Sequence, residues 1–395
     1  MKTFISTAIF LGLAAPAFAE GDQLSKRIGE IGIRPAIAEL EAAGDLGPDE
    51  RFALGGLHFL GGVERALQLR YAYGISQSMM MAGDFPFLRL PIPENPSPQP
   101  FEPQVIEQLF VSVSADMGKA IDVLDTIGDA DDFGTKIDIG DLWFDINMNE
   151  TRDPGEEMTG VLTAIQRFPD GEVPNVTVRF DTADAKWLSA YAHLLSGISD
   201  AVVALHPSER VAEVLADVQK LDAFGRMPED YYGFIDITDY VTAFIAGMET
   251  QPDVALSRSA HAHFLAMIQD NRVFWSRVAA ETDDTAEWIP NAQQTSALPL
   301  PFPPETAEVW GEVLTEAEEV LEGKRLIAHW RFDGQAGVNL AKFMQDPPEL
   351  DLIGMIQGRT FLPYLERGPV MDGASLNRFE RMLQGDAGLY MVILN

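Results

Sequence analysis

The chain contains no cysteine and little positive charge, and each absence excludes a class of protein. Without cysteine there can be no disulfide, no thiolate nucleophile and no cysteine-rich zinc site. Lys and Arg number 28 against 61 Asp and Glu, a formal net charge of −33. Such a surface repels phosphate backbones, so we expect no nucleic-acid partner. Cations and basic partners are its natural counterparts, although an acidic surface also keeps proteins soluble in salty surroundings.

The common signatures of hydrolases and nucleotide-binding enzymes are also missing. The sequence has no Gly-x-Ser-x-Gly elbow, no His-Glu-x-x-His and no glycine-rich phosphate loop. Paired carboxylates can serve a glycosidase, but in so acidic a chain no single pair is informative. The most suggestive group lies beside an aromatic residue and consists of Glu281, Asp283, Asp284, Glu287 and Trp288. Its alternative interpretation is a helix terminus followed by a solvated loop.

The N-terminus has the features of a signal peptide over residues 1–19. Lys2 supplies a short positive region, residues 4–13 are apolar, and Ala17-Phe18-Ala19 forms a small-x-small cleavage site. The apolar run is too short for a spanning helix. We therefore expect an exported protein, periplasmic or extracellular, that begins at Glu20 and does not insert into the membrane after cleavage.

The composition predicts a globular, helix-dominated α+β fold in which amphipathic helices pack around a few short strands. Hydrophobic residues make up 46% of the 395 residues, which argues against extended disorder and allows about two domains by length. Residues 20–103 are expected to form a helical hairpin and a proline-rich strap. Residues 104–289 then form a central helical region, and residues 290–395 a C-terminal α+β unit. We expect these units to be intimately packed.

Hydrophobic spacing predicts the individual elements. Apolar residues recur every three or four positions along 104–127, which indicates an amphipathic helix. Gly140-Asp141 interrupts a strand pattern and predicts a turn or bulge. Further helices are predicted at 34–43, 49–72, about 208–223, about 254–280, 305–322 and from Asp181 or Thr182 onward, and strands at 136–146, 175–180 and 326–332.

Residues 145–156 place oxygen-bearing side chains at alternate positions of a short loop. Calcium takes six to eight hard oxygen ligands, and alternate residues of a tight loop can wrap them around one ion. In these twelve residues alone, the chain resembles an EF-hand calcium loop. The resemblance implies one structural Ca²⁺, with ligands at Asp145, Asn147, Asn149, Thr151 through its carbonyl, Asp153, and Glu156 in a bidentate mode.

The loop also departs from the EF-hand pattern. Glu150 stands where a glycine is usual, at a position that needs a left-handed backbone, and Arg152 replaces a small apolar residue. A strand leads into the loop, and only the outgoing side, about 154–168, has a helical pattern. The alternative is a polar turn that ends a strand and caps a helix, with Asp153 as N-cap and Pro154 at the first helical position.

The histidines do not suggest a site. His261 and His263 are two residues apart on a predicted helix, so their side chains lie roughly 200° apart and cannot share a metal. We interpret the others, which are His58, His193, His206 and His329, as ordinary polar or partly buried residues.

The sequence therefore favours an exported, acidic, non-catalytic binding or structural protein that carries one calcium ion. Its partner, a protein or a small-molecule ligand, is not specified by any motif. The alternative is a secreted hydrolase that uses paired carboxylates. A hydrolase should have a deep pocket in which several carboxylates converge away from the 145–156 loop.

Overall fold

The computed structural model describes residues 21–75, 87–88, 90–160, 176–225, 234–298, 302–332, 334–383 and 394. The predicted signal peptide at 1–19 lies outside the described residues. So does the predicted helix that follows the calcium-loop candidate, beyond residue 160.

The helices follow the predicted hydrophobic spacing closely. Those at Ile33–Ala43, Pro48–Ala72 and Gln104–Leu124 each lie within a few residues of the predicted ranges, which confirms the periodicity argument. Numbered in chain order, they are α1 Gly21–Ile31, α2 Ile33–Ala43, α3 Pro48–Ala72, α4 Gln104–Leu124, α5 Thr182–Val203, α6 Pro207–Asp222, α7 Phe234–Gly247, α8 Val254–Val278, α9 Thr306–Leu321, α10 Leu340–Gln345, α11 Leu352–Gln357 and α12 Ala374–Met382.

Four of these helices, α3, α4, α5 and α8, pack in succession to form the centre of the molecule. Glycines allow the close approaches. A Cβ on Gly55 would lie 2.6 Å from the Leu124 side chain, so α3 and α4 meet backbone to side chain there. Among the described helices none alone is long and apolar enough to span a membrane, while α5 and α6, bent by 44°, meet those criteria as a pair.

In the part of the chain that the structure describes, the strands are short and form two small antiparallel sheets. Strands β1 (Thr135–Asp138) and β2 (Thr177–Phe180) pair with Thr135 opposite Phe180. Strands β3 (Ile327–Ala328), β4 (Ala336–Val338) and β5 (Leu365–Arg367) form the second sheet in that order.

The predicted strand at 136–146 is shorter than expected. It stops at Asp138, whose side chain accepts a hydrogen bond from Gly140 N at 3.0 Å and starts a 3₁₀ turn at Ile139–Asp141. The turn expected at Gly140-Asp141 is therefore confirmed, and it carries the chain toward the 145–156 loop.

A continuous hydrophobic core runs through the molecule. It includes buried side chains from Leu24 to Leu394 and so draws on all three predicted units. Part of the proline-rich segment joins this core: Phe87 and Leu90 are buried, and buried Arg70 donates from Nη1 to both of their carbonyl oxygens, at 3.2 and 2.8 Å. The helix-dominated α+β class is confirmed.

Candidate cation sites

The 145–156 loop is anchored to α3 through its first residue. Glu64 Oε1 accepts a hydrogen bond from Asp145 N at 3.0 Å, and Gln68 Nε2 donates to Asp145 O at 2.8 Å. Burial raises the pKa of Glu64 to about 7, although the Asp145 amide and Arg34 oppose that rise. Arg34 Nε lies 3.3 Å from Glu64 Oε2, close enough for charge attraction without hydrogen-bond geometry. The loop therefore begins at a fixed point.

Glu156 closes the loop with backbone hydrogen bonds. It is fully buried, and its Oε1 accepts from Ile146 N at 2.9 Å and Asn147 N at 3.3 Å. Its Oε2 accepts from Asp153 N at 2.9 Å. Three of the roughly four lone-pair sites of this carboxylate are thus occupied by backbone donors. Glu156 fastens the two ends of the loop together.

The first half of the loop is built from turns in which a side-chain oxygen accepts a backbone amide. Asp145 Oδ1 accepts from Asn149 N at 3.0 Å, and Asp145 Oδ2 accepts from Glu150 N at 3.1 Å. Asn149 Oδ1 in turn accepts from Thr151 N at 2.8 Å. These hydrogen bonds fix the turn by themselves.

The two asparagines present their amide nitrogens to an acid. Asn147 Nδ2 and Asn149 Nδ2 both donate to Asp153 Oδ2, each at 2.7 Å. Ligation of calcium through the asparagine oxygens would require both amides to turn over. In this arrangement the loop is a hydrogen-bonded polar turn.

The backbone of the loop nevertheless has the conformation that the missing glycine would favour. Glu150 has φ 60° and Met148 has φ 61°, both in the left-handed region. The non-glycine residue at Glu150 thus does not prevent this geometry, but it costs about 1 kcal/mol or more. The replacement of the usual glycine by Glu150 therefore adds backbone strain but does not change the loop conformation.

The outgoing side of the loop differs from the predicted helix start. Pro154 and Gly155 form a turn, with Gly155 at φ 94°, and helical structure begins at residue 158. Asp153 has its side chain engaged by the two asparagine amides, and Met158 N donates to Leu142 O at 2.9 Å. The predicted N-cap at Asp153 and first helical position at Pro154 are therefore wrong.

A different set of acids converges about the N-terminus of α5. One oxygen each from Asp181, Glu281 and Glu287 lies within 4.8 Å of the others, the spacing at which carboxylates can share a metal ion. Among the described residues, no other group of three or more acidic, histidine or cysteine side chains meets that distance, and this includes the acids of the 145–156 loop. We call Asp181, Glu281 and Glu287 the carboxylate cluster.

Local structure explains how these three residues meet. Asp181 follows β2 and caps α5, accepting from Ala183 N at 2.9 Å. Glu281 comes directly after α8 and accepts from Gln294 Nε2 at 3.0 Å. Glu287 lies on the loop beyond, and its Oε1 accepts from Thr285 N at 2.8 Å. Each carboxylate therefore has one oxygen held by a neutral donor.

Aromatic side chains pack beneath the cluster. Trp288 has its ring centroid 6.0 Å from that of Phe180 and 5.5 Å from that of Trp187. The loop is also tied to β2, because Arg179 N donates to the carbonyl oxygen of Ala286 at 3.0 Å. The ring contacts and this hydrogen bond connect the loop that carries Glu287 to β2 and α5.

The electrostatics of the cluster are unfavourable for ionised acids. Burial, helped by the charges of Asp181 and Glu287, raises the pKa of Glu281 to about 7, although the hydrogen bond from Gln294 opposes that rise. Burial likewise raises the pKa of Glu287. The adjoining Asp184 is buried, and desolvation followed by the charge of Asp181 raises its pKa well above the ordinary value.

Positive charge near the cluster is scarce. Arg179 Nη1 lies 3.2 Å from Asp181 Oδ2 and 3.4 Å from Asp283 Oδ2. Among the described residues it is the cation that forms ion pairs with this group of acids. A bound cation or protons would relieve the remaining repulsion.

Two of the three residues of this cluster could be singled out from the sequence. Glu281 and Glu287 belong to the acidic segment singled out as suggestive, whereas Asp284 turns aside and accepts from Thr295 N at 2.7 Å. Asp181 was recognised only as a helix cap, and Asp184 was not singled out. The cap motif at the end of a strand was the available signal, but nothing in the sequence joins it to Glu281.

A polar cavity of about 470 Å³ lies apart from both candidate sites, between α9 and α12. Ser375 Oγ donates to Glu316 there, and Arg325 pairs with Glu319. The cavity lining is Glu308, Gly311, Glu312, Thr315, Glu316, Glu319, Arg325, Asp372, Ala374 and Ser375.

Comparison of the chain with protein-family models, with curated proteins and with solved structures finds no match.

Proposed function

We propose that this is an exported, acidic, non-catalytic binding protein whose fold is stabilised by one bound divalent cation, with calcium as the expected ion. The observation that carries the proposal is the carboxylate cluster, in which Asp181, Glu281 and Glu287 each contribute an oxygen within 4.8 Å of the others. Hard carboxylate oxygens suit calcium. Export rests on the signal-peptide features of residues 1–19.

The charge balance favours a cation at the cluster. The charges of Asp181, Asp184, Glu281, Asp283 and Glu287 act on one another, and the guanidinium of Arg179 pairs with two of these acids, Asp181 and Asp283. At neutral pH a divalent ion would offset the repulsion that, together with burial, raises the pKa values of Asp184, Glu281 and Glu287. Water would complete its coordination shell, because three carboxylates supply fewer than the six to eight oxygens that calcium takes.

The 145–156 loop is the second position at which calcium can be tested. The left-handed backbone at Glu150 supports it, because that conformation is the one an EF-hand-like loop requires. The hydrogen bonds of Glu156 and of the asparagine amides weigh against it. The ligands predicted from the sequence therefore stay a proposal, secondary to the cluster.

A hydrolase is the second candidate function, and the cluster also supports it. Carboxylates converge there away from the 145–156 loop, and Glu281, with a pKa of about 7, would be protonated often enough to serve as a general acid. The cavity between α9 and α12 contains none of these acids, so it does not provide their substrate cleft. Chromogenic glycosides tested with wild-type protein and Glu281→Gln distinguish the candidates, because a hydrolase loses turnover in the variant.

The experiment for the main proposal measures metal content and affinity. Mature protein is dialysed against a chelator and titrated calorimetrically with calcium, and then with magnesium. We expect one calcium site that Glu281→Gln with Glu287→Gln removes and that Asp284→Asn leaves unchanged, with weaker magnesium binding because magnesium demands an octahedral shell. Binding retained in the cluster variant and lost in Glu156→Gln would assign the ion to the loop instead.

A further inference from the structure

Two histidines meet across the interface between α5 and α8. His193 Nδ1 lies 2.8 Å from His263 Nδ1, and the ring centroids are 5.0 Å apart. The helices approach closely one turn away, where a Cβ on Gly197 would lie only 2.7 Å from the ring of Phe264. Because Gly197 is four residues after His193 and Phe264 is next to His263, this close approach holds the imidazoles together.

An acid lies beyond the His263 ring, and the charges of two others act on His193. His263 Nε2 is 3.9 Å from Asp200 Oδ2, and Asp200 Oδ1 accepts a hydrogen bond from Ser114 Oγ at 3.2 Å. The charges of Asp270 and Asp125 act on His193, although burial lowers the pKa of both histidines overall. A carboxylate behind a metal-ligating imidazole is the usual outer-shell arrangement, since it orients the ring and its N–H.

We propose that His193 and His263 form a two-imidazole site for a borderline transition cation, with zinc as the natural occupant. Imidazole nitrogen is a preferred zinc ligand, whereas calcium and magnesium prefer oxygen. The site is therefore chemically separate from the carboxylate cluster and does not depend on the calcium proposal. Two water molecules would complete the tetrahedral shell.

The geometry needs little adjustment to accept the ion. Zinc–nitrogen bonds of about 2.0–2.1 Å at a tetrahedral angle separate the two ligand nitrogens by roughly 3.4 Å. The observed 2.8 Å between the Nδ1 atoms must open by a few tenths of an ångström, which side-chain rotation can supply. The His263 side chain is 25% exposed, so the ion has access from solvent.

Without metal, the same two atoms share a hydrogen bond, with one Nδ1–H donating to the other Nδ1. Zinc needs both Nδ1 atoms deprotonated, with the protons on Nε2. Moving a proton from Nδ1 to Nε2 brings an N–H toward Asp200 on the His263 side, which favours the ligating tautomer.

The test is a zinc titration of the mature protein, made without a polyhistidine tag and in excess calcium. We expect one zinc equivalent, with affinity reduced roughly 100-fold or more in His193→Ala and in His263→Ala, because each removes a ligand, and about tenfold in Asp200→Asn. His206→Ala, which removes a histidine outside the pair, is the matched control and should bind zinc as the wild type does. Zinc binding that is absent from the wild type, or unchanged in both alanine variants, contradicts the proposal.

A second measurement uses wild-type protein alone and covers the case in which an alanine variant fails to fold. Long-range ¹H–¹⁵N spectra of the histidine rings report which nitrogen is coordinated. Zinc should shift the Nδ1 resonances of two histidines, and cobalt(II) should give the visible absorption of a tetrahedral site. Shifts confined to Nε2 atoms, or to other histidines, would overturn the assignment.

Discussion

The 145–156 loop and the carboxylate cluster are both rich in acid, yet their acids are in opposite electrostatic situations. In the loop, buried Glu156 accepts three backbone hydrogen bonds, and Asp145 accepts two. In the cluster, the acids face one another, and burial and mutual repulsion raise the pKa of Glu281 to about 7. The loop carboxylates accept hydrogen bonds from the backbone of the loop itself, whereas among the described residues the cluster carboxylates have one cation, Arg179, as an ion-pair partner.

This difference shows that oxygen side chains spaced along the chain like calcium ligands do not by themselves indicate that the site needs a cation to balance its charge. Alternating oxygens in a tight turn also lie where successive backbone amides can reach them, so a turn can satisfy itself. The cluster acids accept one neutral hydrogen bond each, but acids from different elements also bring their charges to within 4.8 Å of one another. A cation therefore has more to offset at the cluster than at the loop.

The largest expected effect comes from removing the residue that fastens the loop. Glu156→Ala leaves three backbone donors without their acceptor, and we expect it to lower the free energy of unfolding by about 3–5 kcal/mol. Urea unfolding followed by circular dichroism measures this. Glu157→Ala, the partly exposed neighbour, should cost less than about 1 kcal/mol. Equal costs for the two variants would mean that the loop is not held as described.

Removing a negative charge from the carboxylate cluster should instead increase the free energy of unfolding. At pH 8 the Glu281 carboxylate is ionised among other acids, so Glu281→Gln should raise the free energy of unfolding by about 1 kcal/mol, a modest figure because the group is only partly buried. Chemical unfolding at pH 8 without divalent cations measures the gain. Asp284→Asn, an exposed acid on the same loop, should change stability little.

The pH dependence of the Glu281→Gln variant tests whether the change in stability has the expected sign. The pKa of Glu281 is raised from 4.5 to about 7, so between those values the folded state binds more protons than the unfolded state. Its contribution to stability therefore decreases as pH rises through that window. The gain from Glu281→Gln should disappear near pH 4.5, and a gain that is constant with pH would refute the electrostatic explanation.

A smaller effect is expected from the strained position in the loop. Glu150 has φ 60°, and Glu150→Gly relieves the steric cost of a left-handed side chain, so we expect a stabilisation of up to about 1 kcal/mol. Differential scanning calorimetry should detect the higher melting temperature. Glu150→Ala removes the same charge but keeps a Cβ, so a gain of equal size there would attribute the effect to charge and not to backbone strain.

Local features of this molecule were predictable from the sequence, and long-range ones were not. Spacings of three and four predicted α4 and α8, because burying one face of a helix imposes that period. The acidic segment at Glu281 was noticed, but its meeting with Asp181 depends on how α5 packs beside α8. The pairing of His193 with His263 depends on the same packing and on Gly197.

The 145–156 loop and the strand before it contain two features that the local sequence did not predict correctly. A strand was expected over 136–146 with a turn or bulge at Gly140-Asp141; the turn is present, because Asp138 accepts a neighbouring amide, but the strand ends at Asp138. Asp153 and Pro154 have the residue types of a helix start, yet the Asp153 side chain accepts hydrogen bonds from the two asparagine amides and does not cap a helix. In both cases a side-chain hydrogen bond competes with regular secondary structure, and composition alone does not decide the outcome.

The most direct test of the cation proposal is a set of melting curves in calcium and in chelator for wild type, for Glu281→Gln with Glu287→Gln, and for Glu150→Gly. Calcium bound only by the folded state adds about 2.7 kcal/mol at a hundredfold excess over Kd. We expect a higher melting temperature in calcium for wild type and for Glu150→Gly, and no shift for the variant with Glu281→Gln and Glu287→Gln. Identical curves for the wild type with and without calcium, or a full shift in the cluster variant, would contradict it.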